Sequence, residues 1–149
     1  MSSSQIRMLG RAMLSELELP LAELSVLLTD DHGIQVLNRE HRQKDKPTDV
    51  LAFPMHESEP DPQGILGDVV ISLDTALRQA TSRHRPLIEE VRFLLAHGLL
   101  HLVGYDHATP GEKRQMVRMT HRLVRAAALP SEPKRRPKRR GKLKNGSKK

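Results

Sequence analysis

Cysteine is absent from this chain, and so is tryptophan. Without cysteine there can be no disulfide and no thiolate metal site, a composition that suits a reducing cytosol. Aromatic residues are scarce: Phe53, Phe93 and Tyr105 are the whole set. Stacking platforms for nucleic-acid bases are therefore poorly supplied. Phe53 and Phe93 stand in apolar stretches and read as core. No run of about 18 apolar residues occurs, which argues against a membrane span. The opening stretch MSSSQIRMLGRAMLSELELP is broken by Arg7, Arg11, Glu16 and Glu18. It reads as an amphipathic helix rather than a signal peptide, and the chain as cytoplasmic.

Acidic residues are nearly missing from one end. Residues 130–149, PSEPKRRPKRRGKLKNGSKK, hold ten Lys/Arg and a single Glu, whereas residues 1–129 hold fifteen Lys/Arg against seventeen Asp/Glu. The net charge of +7 is thus a property of the tail. A segment this polar cannot bury enough apolar surface to fold. The expectation is one folded domain over 1–129 and a disordered basic tail over 130–149. That tail either contacts nucleic acid through its phosphates or serves solubility.

Between these ends, apolar spacing predicts a helix over 4–18, stopped by Pro20. Strands are predicted over 23–30, 47–55 and 65–73, with a short helix in 30–42 on which Ile34, Leu37 and His41 share a face. Ser72 is placed to cap a helix over 73–84. A long helix follows from Pro86 to Val103, ended by Gly104. Thr109 and Glu112 form a capping-box pattern, with Pro110 at the first helical position, for a helix over 109–127. The fold class expected is α+β, with a small mixed sheet and several helices.

Against this background AHGLLHLVGYDH, residues 96–107, stands out. Residues four apart on a helix share a face, so His97 and His101 point the same way. Gly104 lets the chain turn, and His107 can return towards the pair. The helix is otherwise apolar nearly all round, as buried helices are. Imidazoles buried there need partners, and a metal ion is one. Three histidines with one position open is the pattern of a catalytic zinc site; the all-nitrogen set also suits nickel, copper or iron. His84 or a carboxylate could close the fourth position. The spacing H-x3-H-x2-G-x2-H also matches the metzincin proteases, but Gly98 stands where those enzymes carry their general-base Glu. Gly98 costs about 1 kcal/mol of helix propensity relative to Ala, which implies that a side chain there would obstruct substrate, a neighbouring backbone or close packing. Asp106 reads either as a turn residue or as a group orienting a histidine. Glu90, one heptad before His97, could do the latter.

HGLLHLVGYDH (97–107), LNREHRQKDKPTDVLAFP (37–54) and GDVVIS (67–72) together resemble the YbeY family, bacterial endoribonucleases of ribosomal RNA maturation. The resemblance spans about residues 24–125. It implies a zincin-like metal-site helix with His97, His101 and His107 as ligands of one Zn2+, a functional Arg42, and a mixed sheet of about four strands with about five helices. It further implies single-strand-specific, zinc-dependent cleavage at the 3′ end of 16S ribosomal RNA, a part in ribosome quality control, and ribosomal RNA and ribosomal subunits as partners. His41 replaces a common aromatic and Ala52 a common Ser; neither is an expected ligand. Lys44 and Lys46 could assist phosphate binding or be plain surface. Asp45, Thr48 and Asp49 read as turn and capping residues. Two other readings stay open: a non-catalytic ribosome-assembly factor with a structural metal, and a metallohydrolase of another substrate.

Overall fold

The computed structural model describes residues 1–56 and 59–128. The basic tail, with the RNA contacts expected of it, lies outside the described residues. The order of elements is α1 (Ser3–Glu16), β1 (Glu23–Thr29), α2 (Asp31–Arg42), β2 (Val50–Pro54), β3 (Ile65–Ser72), α3 (Leu73–Ser82), α4 (Leu87–Leu102) and α5 (Pro110–Ala126). The α+β class and the five helices agree with the sequence reading. Among the described residues the sheet has three strands where about four were expected. Only three stretches carry a strand-forming apolar pattern, and the connection between β2 and β3 contains Pro60 and Pro62, which cannot donate to a ladder.

The strand order is β1-β3-β2. β3 pairs parallel with β1 (Val26 opposite Val69) and antiparallel with β2 (Ala52 opposite Val69). Side chains alternate across a strand, so each strand has two faces to cover. Val26, Val50, Ala52, Val69 and Ile71 belong to the main core, with residues of α1, α3, α4 and α5. Leu51, Val70 and Phe53 point the other way and pack with Ile34 and Leu37 of α2. Phe53 is therefore half-buried rather than central, its ring 5.1 Å from that of His41.

The helix ends follow the local chemistry. Ser2 and Gln5 form a reciprocal cap on α1, and Thr109 and Glu112 do the same on α5. α2 and α3 start side by side and share one carboxylate. Asp31 accepts hydrogen bonds from Ser72 Oγ (2.7 Å), Thr75 Oγ1 (2.7 Å) and Arg78 (2.7 Å). Three donors to the charged form hold its pKa down to about 2.

α4 lies very close to the sheet. A Cβ built on Gly98 would sit 2.7 Å from Val69 Cγ1 and 3.2 Å from Val50 Cγ2. Of the three explanations for this glycine, close packing is the one the structure supports. Opposite it, Val69 is fully buried.

Two outcomes are expected. Gly98→Ala should lower stability by about 1–2 kcal/mol, because overpacking against a stiff, buried valine outweighs the gain in helix propensity; equilibrium urea unfolding measures it, and a stabilised variant would contradict the packing. Asp31→Asn should cost about 1 kcal/mol at neutral pH, less than the full shift implies because the carboxylate is partly solvated. The folded-state pKa lies below the ordinary value of 3.8, so this stabilisation is present above about pH 4 and is lost as pH falls towards 2. Paired unfolding curves should show the gap between wild type and variant closing across that window; a gap undiminished at pH 2 would exclude the Asp31 network as its source.

Candidate metal centre and cleft

His97 and His101 sit one turn apart on α4, and their ring centroids are 4.8 Å apart. The helix then ends in a Schellman motif. Gly104 adopts φ 103, the Gly104 N–H donates to the His101 carbonyl (3.1 Å) and the Tyr105 N–H to that of Leu100 (3.0 Å). A side chain at Gly104 would be strained in this left-handed region. The reversal brings the His107 ring to 5.3 Å from that of His101 and 6.2 Å from that of His97. One ring nitrogen from each histidine can be chosen so that all three lie within 4.8 Å of one another.

This is the one such cluster among the described residues, and no fourth histidine or carboxylate joins it. His84 is exposed at the end of α3 and takes no part. The donor set fits a metal ion. Burial lowers the pKa of His97, an effect that Asp49 opposes and His107 reinforces. Burial likewise lowers that of His101, aided by the neighbouring histidines and by Arg42, against Asp106. Lowered values keep the imidazoles neutral, the form that coordinates metal.

The three histidines line a cleft of about 610 Å³ whose other wall carries Arg42, Lys44 and Lys46. Arg42 is the last residue of α2, and no ion pair engages it among the described residues. The loop after it folds back on its own helix. Gln43 is left-handed (φ 56), its N–H and that of Lys44 donate to the Asn38 carbonyl, and the buried Asn38 donates from Nδ2 to the Lys46 carbonyl at 2.9 Å. Gln35 donates to Asp45 Oδ1 at 3.0 Å, so Asp45 is the loop residue it was taken for.

The histidines, marked by their spacing, and Arg42, marked by the family resemblance, line the same cleft. Sequence reasoning left Lys44 and Lys46 undecided, and the structure puts both on the cleft. Asp49 keeps its capping part, accepting from the Val50 N–H at 2.7 Å, but it also lines the cleft and acts on His97. Nothing in its spacing marked it. Asp106 accepts from the His107 N–H at 2.8 Å and shapes the turn. Glu90 does not orient His97. It is fully buried and held by Arg83 (2.5 Å) and, through two donors, by Arg85 (2.9 and 2.7 Å). Phe93 proves half-buried, not core.

Comparison with known proteins agrees with this architecture. The family model described as Endoribonuclease YbeY matches residues 2–128. A protein of that name from Anaeromyxobacter dehalogenans is 46% identical over 140 residues, covering 94% of this chain and 72% of the relative. Another from Aquifex aeolicus is 55% identical over 111 residues, covering 74% and 73%. A solution structure of a Thermotoga maritima protein superposes with a TM-score of 0.63 at 25% identity, covering 85% of this chain and 83% of that one. The chain belongs to the endoribonuclease YbeY family.

Proposed function

We propose that this protein is a zinc-dependent endoribonuclease that cuts single-stranded RNA in ribosomal RNA processing. The observation that carries the reading is the cleft itself, which three clustered histidines and Arg42 line together. His97, His101 and His107 would hold the metal, and Arg42 would bind the phosphate. Their family's name supports RNA cleavage. Maturation of the 3′ end of 16S ribosomal RNA, a part in ribosome quality control, contact with ribosomal subunits and a cytoplasmic location belong to the same proposal. Among the described residues no helix is long and apolar enough to cross a membrane.

A zinc ion at the cluster would supply Lewis acidity and activate water at neutral pH. The rest is the work of the chain. Arg42 presents a planar fork of donors that matches two phosphate oxygens and stabilises negative charge as it develops. Lys44 and Lys46 extend the positive wall to neighbouring phosphates as point charges. Asn38 fixes the loop bearing those lysines, so the wall is organised before substrate arrives. Asp49 is anchored by the Val50 N–H and by Gln79 (3.2 Å), and it biases His97 electrostatically.

The competing readings fare less well. A structural metal is usually enclosed by four protein ligands, whereas three are gathered here. A peptidase of metzincin type needs a carboxylate in place of Gly98, and Val69 leaves no room for one.

Arg42→Ala should lower single-turnover cleavage of single-stranded RNA by about 100- to 1,000-fold, the usual cost of losing one preorganised charge-stabilising donor, with zinc content and circular dichroism unchanged. An unaltered rate would make Arg42 a surface residue. His101→Ala should lose the single zinc per chain that elemental analysis finds in wild type, and its cleavage with it. Full zinc retention would refute the ligand assignment.

A further inference from the structure

The histidine cluster has a second side. His97 and His107 also line a groove of about 460 Å³ between α4 and α5. Its remaining walls are mostly apolar, formed by Phe93, Met116, Val117 and Thr120, with Lys113 and His121 beside them. Lys113, Val117 and His121 recur every four residues and so form one row along α5. The groove borders the cationic cleft at the two shared histidines.

Phe93 is the anomaly here. It sits on the most apolar helix of the protein, one turn before His97, yet it lies outside the hydrophobic core that takes up the other apolar residues of α4. Its ring is held from one side by the Arg85 guanidinium, 5.8 Å from the ring centroid. Arg85 is itself fixed by two hydrogen bonds to the buried Glu90. A buried carboxylate that plays no part in the metal centre thus orients an aromatic ring next to it. Val117, across the groove, is 52% exposed and presents apolar surface to it.

We propose that this groove receives the nucleobase adjoining the phosphate that is cut, with Phe93 as its stacking platform. The proposal rests on the ribonuclease reading above. A phosphate held between Arg42 and the histidines leaves its neighbouring base within reach of the groove, because cleft and groove meet at His97 and His107. The volume is within the range of small-ligand sites. Stacking on an aromatic ring accepts any base, since every base has a π-face. Lys113 offers the next phosphate a cation. Only an unpaired base can leave its strand to enter such a groove, so the groove selects single-stranded RNA by shape.

The test uses the full chain loaded with zinc and a single-stranded 2′-O-methyl oligonucleotide, resistant to cleavage, carrying one 4-thiouridine moved through successive positions. After irradiation, mass spectrometry locates the cross-links. They should fall on Phe93 and on residues 113–121 for one position of the label. Phe93→Leu, which keeps apolar volume but removes the ring, should weaken binding about tenfold with zinc content and melting temperature unchanged. Val117→Asp, at an exposed position, should weaken it at least as much. If the oligonucleotide binds, cross-links only elsewhere and is indifferent to Phe93→Leu, the groove is not a base site and the ribonuclease reading stands. If wild type does not bind the oligonucleotide at all, both fall.

Discussion

At Gly98 the backbone of α4 rests on the side chains of Val69 and Val50 with no side chain of its own in between. That contact sets the depth at which the histidine-bearing helix lies on the sheet. His97 and His101 flank the contact on the adjoining face, so their height above β2 is fixed by a glycine and two valines. A larger residue would lift the helix, or displace β2 and β3, and the opposing walls of the cleft would separate. Interiors are packed as densely as organic crystals, so such a shift is transmitted rather than absorbed. The helix-propensity cost of a mid-helix glycine is offset by what it permits.

The cleft's two walls come from opposite faces of one small sheet. α4 packs on the face that presents Val50 and Ala52; α2 packs on the face that presents Leu51 and Phe53. β2 is an edge strand, and the cleft runs along it, with the histidines arriving from one side and Arg42 from the other. The pairing of the histidine cluster with Arg42 therefore depends on strand alternation. A one-residue slip of β2 against β3 would exchange its faces and misplace both helices. The Asp31 network at the start of α2 and α3 holds the far end of the same arrangement.

Much of the centre was legible in the sequence because its determinants are local. The spacing of His97, His101, Gly104 and His107 encodes one helical turn and one Schellman reversal, both governed by short-range geometry. The caps at Ser72 and Thr109 were readable for the same reason. What escaped was long-range. The role of Gly98 is decided by Val69 and Val50, which no spacing rule connects to it. Heptad distance made Glu90 one candidate to orient His97, but its partners Arg83 and Arg85 reach it from the segment before α4. Phe93 was taken for core on composition alone, since an apolar helix gives no sign of which residue is left out of the packing. Segment patterning left three or four strands open and the family resemblance favoured four, but only three strand-like segments stood in the chain.

The electrostatics of the cleft are likewise a matter of pairing rather than total charge. Residues 1–129 carry slightly more acid than base, yet the wall facing the histidines is cationic. Several arginines elsewhere are matched: Arg83 and Arg85 with Glu90, Arg92 with Glu89, Arg78 with Asp31, Arg122 with Glu16. Those pairs cancel most of each other's field at a distance. Arg42, Lys44 and Lys46 have no ion-pair partner among the described residues, and the nearby acid Asp45 is turned towards Gln35 and Arg39. A low-dielectric floor beneath unmatched cations focuses their field into the cleft. The positive wall is thus built from three cations without ion-pair partners, while the acids of the cleft, Asp49 and Asp106, act on His97 and His101 instead, so a folded part with slightly more acid than base still presents a cationic surface there.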